Sequence, residues 1–175
     1  MKKILALALF LSSCATFKGD LPPAELPKAS GDIAGRVILT RTLNDREMVN
    51  NNAGIESNLA HQLGGLLESS GYTLNDSSNN KLTIRVNVDS HYSQTASTIS
   101  GLSLFIIPSY AHDDYTMTAT YETPKGKQTI EVKDSVSTIT HLFMIFAVPF
   151  ASGQTAESET TQNMFKNILS QMKKM

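Results

Sequence analysis

The sequence predicts an α+β fold, a two-layer α/β sandwich with element order βαβββα, in which a four-stranded mixed sheet carries two helices on one face. Three observations predict it. Apolar residues alternate strictly with polar ones at Leu82, Ile84, Val86 and Val88, the period of a strand with one buried face. They recur three and four apart at Ile55, Leu59, Leu63, Leu66 and Leu67, and again at Phe165, Ile168, Leu169 and Met172, which is the period of an amphipathic helix. About 140 residues follow position 33, enough for one core and too few for two.

The elements follow in chain order. "AGRVILTRTL", Ala34 to Leu43, is short, β-branched and bounded by polar residues, and reads as the first strand. Asn50 to Ser70 is the first helix, stopped by Gly71. Gly64 and Gly65 inside it cost about 1 kcal/mol each relative to alanine, so close packing on the sheet is expected there. "KLTIRVNVDSHY" is the second strand. "YTMTATYET" is the third, with Tyr115, Met117, Ala119 and Tyr121 inward. "PKGK", Pro124 to Lys127, forms a tight turn, and "QTIEVKDSV" returns as the fourth strand with Ile130 and Val132 inward. A helix from about Ala156 to Lys174 closes the chain, with Glu157 and Glu159 near its start and Lys173 and Lys174 at its end complementing the dipole. A helical crossover makes strands one and two parallel, and strands two to four then form an antiparallel meander.

The N-terminus carries a different signal. Met1-Lys2-Lys3 precedes an apolar run from Ile4 to Leu11 that is too short for a bilayer, which needs roughly 20 apolar residues. This is the layout of an export signal. Directly after it stands Cys14, the one cysteine of the chain, so an intrachain disulfide is excluded. Leu11-Ser12-Ser13-Cys14 resembles the bacterial lipobox. The resemblance implies that residues 1–13 are removed, that Cys14 is lipidated and becomes the first mature residue, and that the protein is anchored in the cell envelope. Ala15, where an aspartate would mark retention at the inner membrane in enterobacteria, implies the outer membrane with the domain facing the periplasm. Residues 14–32, with Pro22, Pro23 and Pro27, are expected as the lipidated cysteine and a flexible tether, either extended or folded back along the domain. Residues 33–175 form the single domain.

Two further segments stand out, 98–110 and 140–151. Both are apolar where polar loops are expected, and each ends in an aliphatic-proline step, Ile107-Pro108 and Val148-Pro149. The meander brings both to one end of the sheet. They carry Leu102, Leu104, Phe105, Ile106 and Ile107 in the first segment and Leu142, Phe143, Ile145, Phe146 and Phe150 in the second. Three readings are open: extra core, an apolar docking surface for a membrane or an integral membrane partner, or a pocket for a lipidic ligand. The "GLSLFIIP" run before a tyrosine-threonine strand is similar to that of a group of uncharacterised Gram-negative lipoproteins. The element order is also similar to the lipopolysaccharide-assembly lipoprotein family, which places a glycine where this chain has Ala15.

Chemistry is sparsely signalled. Fifteen basic and sixteen acidic residues give a net charge of −1 with no basic cluster, which sets nucleic-acid binding aside. His61, His91, His112 and His141 lack metal-ligand spacing, so no metal and no cofactor is expected. No serine sits in a G-x-S-x-G elbow. His112-Asp113-Asp114 is the best catalytic constellation and reads as a solvated turn, leaving no catalytic residue assigned. The sequence thus points to a non-enzymatic envelope accessory or assembly factor, with a carrier of a hydrophobic ligand between helices and sheet as the alternative.

Overall fold

The computed structural model describes residues 13–44, 46–47, 53–141 and 153–172. Residues 1–12 and residues 142–151 of the second apolar segment lie outside them. Seven strands are described: β1 (Ser13–Lys18), β2 (Gly31–Leu43), β3 (Arg46–Glu47), β4 (Tyr72–Leu74), β5 (Lys81–Tyr92), β6 (Ser109–Thr123) and β7 (Gly126–His141). Three helices accompany them: α1 (Ala53–Ser70), α2 (Gln94–Leu102) and α3 (Gly153–Gln171).

Six strands follow one another in the order β1-β7-β6-β5-β2-β3, and β4 pairs with the start of β2. As the crossover requires, β2 and β5 are parallel, with Leu39 beside Val86, and β5, β6 and β7 form the antiparallel meander. The sheet therefore exceeds the expected four strands, and α2 is a helix the sequence reading lacked. Each addition has a physical reason. β1 covers the otherwise open edge of β7. β3 and β4 are too short for a period to show in sequence. β6 begins at Ser109, six residues before the alternation expected from Tyr115, because Asp113, on the same side of the strand as Tyr115 and Met117, interrupts the apolar pattern without interrupting pairing.

The core lies between the sheet and the helix layer. Leu82, Ile84, Val86 and Val88 of β5 meet Met117 and Ala119 of β6 there, beneath Leu63 and Leu67 of α1 and Phe165, Ile168 and Leu169 of α3. α1 rests on β2 and β4, α3 on β7 and β1, and the two helices touch. Ile55 departs from the expected apolar face: it is 45% exposed, in the first turn of α1 at the wall of a cavity. The two mid-helix glycines are not the close-packing points either. A methyl on Gly64 would meet Leu74 Cδ1 at 3.4 Å, an ordinary contact, and one on Gly65 would meet nothing within 4 Å. The close approach is on the strand, where a methyl on Gly35 would stand 3.2 Å from Leu67 Cδ1.

Of the two courses open to residues 15–32, the chain takes the second. Ser13–Lys18 is a sheet strand, and the segment after it runs back over α3. There the Asn163 side chain donates to the Leu21 carbonyl at 3.0 Å and accepts from the Ala24 N–H at 3.0 Å, while Asn167 Nδ2 donates to the Pro22 carbonyl at 3.1 Å. Leu21 and Leu26 pack against the core. The far end is fixed by Ala29 N–H donating to the Ser70 carbonyl at 2.7 Å, beside Gly71 at φ +99°. A Cβ on Gly71 would lie 2.4 Å from the Ala29 carbonyl oxygen. Gly71→Ala therefore combines a left-handed backbone penalty with a backbone clash, and should cost about 2–4 kcal/mol in urea unfolding. A variant as stable as the parent would show that this junction is not as drawn.

Candidate functional site: an apolar sheet end beside Cys14

The strand directions put several features at one end of the sheet. β5 finishes there at Tyr92, α2 and its following loop cross over it, β6 starts there at Ser109, β7 finishes there at His141, and β1 starts there. Register fixes the alignment: Cys14 lies beside Thr140, and Thr140 beside Ser109. With strands about 4.8 Å apart, Cys14 is about 10 Å from the first residue of β6.

Helix α2 is short, capped by the Ser93 hydroxyl accepting from the Ala96 N–H at 3.2 Å. Its inward residue is Ser100, fully buried. The turn after it is tied down locally. The Phe105 N–H donates to the Ser100 carbonyl at 2.8 Å, and the Ser103 hydroxyl donates to that carbonyl at 2.9 Å while accepting from the Ile107 N–H at 3.1 Å. The His141 imidazole meets the Ile106 carbonyl at 3.0 Å and ties the turn to β7. This closed network holds Leu104 and Phe105 at φ +54° and +61°, a left-handed conformation that costs bulky residues roughly 1–2 kcal/mol each.

The result is an outward display. Leu102 is 83% exposed, Leu104 65%, Ile106 63%, and Ile99, Ile107 and Tyr110 about half. Phe105 is half-buried. The first segment is thus on the surface rather than in the core. Of the second, Thr140 and His141 stand at the same sheet end, while Leu142, Phe143, Ile145, Phe146 and Phe150 lie outside the described residues. Cys14 is exposed with a free thiol, its Sγ 3.1 Å from Thr140 Oγ1, and Ala15 beside it is fully buried.

A second feature is a cavity of about 560 Å³ under the helix layer, lined by Leu39, Arg41, Ile55, Val88, Tyr115 and Glu157 among others. Partial burial raises the Glu157 carboxyl above its ordinary range, Asp113 adds to the rise and Arg41 opposes it. Burial also pushes the Tyr115 phenol well above its usual value. Sequence reasoning missed Arg41 and Glu157 as neighbours because β2 and α3 meet only in the folded chain.

On the opposite, outer face of the sheet His112 and Asp114 come together, while Asp113 lies on the helix side of the strand near Glu157. His112 Nδ1 is 2.9 Å from the Ser137 hydroxyl, its Nε2 is 3.2 Å from Asp114, and the Tyr110 ring stacks on it. His91 bridges Asp89 and Asp114 at 3.2 and 3.5 Å. Serine, histidine and aspartate stand in a row, yet His112 and Ser137 are ladder partners in mid-strand. Backbone N–H groups of a paired strand interior are committed to the ladder, so an oxyanion would find no donor pair there. His61 is exposed on α1. No group of three or more metal-ligating side chains suited to a metal ion occurs among the described residues. Nor, among those residues, is any helix long and apolar enough to cross a membrane.

No family model matches the chain, and no curated protein does. Solved structures similar to it include a minor lipoprotein from Acinetobacter baumannii, at 12% identity over 80% of this chain and 87% of that one with a TM-score of 0.32. Another is rare lipoprotein B from Shewanella oneidensis, at 10% identity over 75% and 87% with a TM-score of 0.36. Both neighbours are bacterial lipoproteins by name. At these scores the likeness assigns this chain no role.

Proposed function

We propose that this protein is a lipid-anchored lipoprotein of the Gram-negative envelope, held in the outer membrane through Cys14 and facing the periplasm. It acts without catalysis as an accessory or assembly factor, docking a membrane or a protein within it through its apolar sheet end. The observation that carries this reading is the outward display of Leu102, Leu104 and Ile106 on a locally hydrogen-bonded turn at the sheet end that also presents Cys14. An exposed apolar cluster of this kind marks interaction surfaces. The flat ladder setting of His112 and Ser137 supports the non-catalytic part.

The test is complementation. A strain lacking the gene should be sensitised to detergents and bulky antibiotics, and wild-type protein should restore resistance. His112→Ala should restore it equally. Leu102→Ser with Leu104→Ser removes exposed side chains, so its stability should change by less than about 0.5 kcal/mol, yet it should fail to restore resistance. Full rescue by the apolar variant would overturn the docking role, and failure of a folded His112→Ala would reopen catalysis.

The cavity favours a second reading, a carrier of an amphiphilic ligand. Its volume is in the range of small-molecule sites, and its lining combines an aliphatic wall with the Arg41 guanidinium, suited to an acyl chain with an anionic head. Native mass spectrometry of the purified protein decides this: a co-purifying lipid released by Arg41→Ala supports the carrier.

A further inference from the structure

We infer that the turn after α2 is a bilayer-inserting wedge, so that the domain stands directly on the lipid surface that holds Cys14, with the sheet end facing down. The inference rests on the lipoprotein reading and goes beyond it in naming the bilayer itself as what the apolar end contacts.

The argument is one of chain length. A lipid-anchored domain is free to stand away from the membrane only if a slack segment separates the lipid from the fold. Here there is none. Cys14 is itself a residue of β1, paired with Thr140, and the next residue, Ala15, is fully buried. Lys18, four residues on, is already ion-paired to Glu159 of α3. Acyl chains on Cys14 therefore enter the bilayer at the sheet end, about 10 Å from the start of β6. The exposed side chains of the α2 turn stand at that same end and meet the same surface.

Charge points the same way. Residues 93–111 contain no Asp, Glu, Lys or Arg, and neither do residues 135–156 or 13–17. The segments of β1, β6 and β7 beside Cys14 are thus free of formal charge; Asp89 of β5 and Asp113 and Asp114 of β6 lie further in, and Arg46 and Glu47 of β3 stand beyond β2 at the same sheet end. The opposite end carries Lys81, Glu122, Lys125 and Lys127 around the β6–β7 turn. Desolvating a charged side chain is costly, and a charge-free corner avoids that cost at the interface. Tyr110, half-exposed with its hydroxyl 3.1 Å from Ser137 Oγ, has the amphipathic form that settles at headgroup level. The left-handed Leu104 and Phe105 hold the aliphatic side chains outward before any contact is made, so insertion needs no rearrangement of the turn.

The experiment uses the full chain, expressed with its own leader and purified from membranes. A cysteine-reactive fluorophore is placed through Leu104→Cys at the wedge or through Lys125→Cys at the opposite end, Cys14 being consumed by acylation. Each protein is reconstituted into vesicles of phosphatidylethanolamine and phosphatidylglycerol containing doxyl-labelled lipids. The Leu104→Cys label should show blue-shifted emission and lose most of it to shallow doxyl groups, and the Lys125→Cys label should be quenched only by aqueous iodide. A Leu104→Cys label open to iodide on a protein that floats with the vesicles would overturn the wedge and leave the lipoprotein reading standing. A label shielded in native membranes but wet in pure lipid would replace the bilayer by a protein partner and overturn it as well. Intact mass without an acyl chain on Cys14 would bring down the lipoprotein reading, and this inference with it.

Discussion

Val86→Asp should unfold the protein or cost it about 4 kcal/mol or more, the largest stability effect expected from any single exchange in the sheet. Val86 is 1% exposed on the central strand β5, between Leu39 of β2 and Met117 of β6. At that depth a carboxylate is taken almost wholly out of water, beside the aliphatic wall of the cavity. It must either stay charged at a high desolvation cost or take up a proton and remain an unsatisfied polar group. Two neighbours serve as controls. Val86→Ile keeps the position apolar and should cost less than about 1.5 kcal/mol. Arg85→Asp, one residue earlier on the exposed face, should change stability by less than about 0.5 kcal/mol. Urea unfolding followed by circular dichroism measures all three. A Val86→Asp protein with parental stability, or an Arg85→Asp protein that collapses, would mean that the register of β5 is shifted by one residue.

Cys14→Ala should abolish acylation and leave the protein unprocessed or mislocalised, with the fold of the domain intact. Two or more acyl chains give stable anchorage where one is marginal, so loss of the thiol removes the proposed anchor. The side chain itself is exposed, and its contact with Thr140 is replaceable by water, so the melting temperature should move little. Metabolic labelling with a fatty acid, read with mobility on gels and fractionation, tests this. Wild-type protein should incorporate label, and the variant should incorporate none and differ in mobility or in the fraction where it is found. Labelling of Cys14→Ala, or equal membrane retention with unchanged mobility, would show that the lipid is elsewhere or that another element anchors the chain.

What was legible in the sequence is what short-range pattern encodes. The alternations in 82–88 and 115–121 and the three-and-four spacing in α1 and α3 identified core positions such as Val86, Met117, Leu63, Leu67, Phe165 and Ile168 correctly. A period of two or 3.6 is imposed by burial on one side, and that is a local property. The parallel β2–β5 pair and the β5–β6–β7 meander also followed, since connection length restricts topology. The apolar runs and the charge-free stretches around them could be read directly as composition.

Tertiary structure alone decided the rest, for a common reason: pairing and display depend on partners far away in the chain. Nothing in "SCATFK" marks it as a strand; it becomes one because the edge of β7, more than a hundred residues later, offers a free row of hydrogen-bonding groups. That pairing starts the fold-back course that the sequence had left open for this stretch. The proline-rich stretch is fixed by Asn163 and Asn167, whose side chains reach its carbonyls only once α3 is packed. Whether 98–110 was core or surface was equally undetermined, because an apolar run is the same sequence in either place. It is surface because the Ser100 and Ser103 hydrogen bonds close the turn upon itself and aim Leu102, Leu104 and Ile106 outward, at the sheet end where Cys14 begins the first strand.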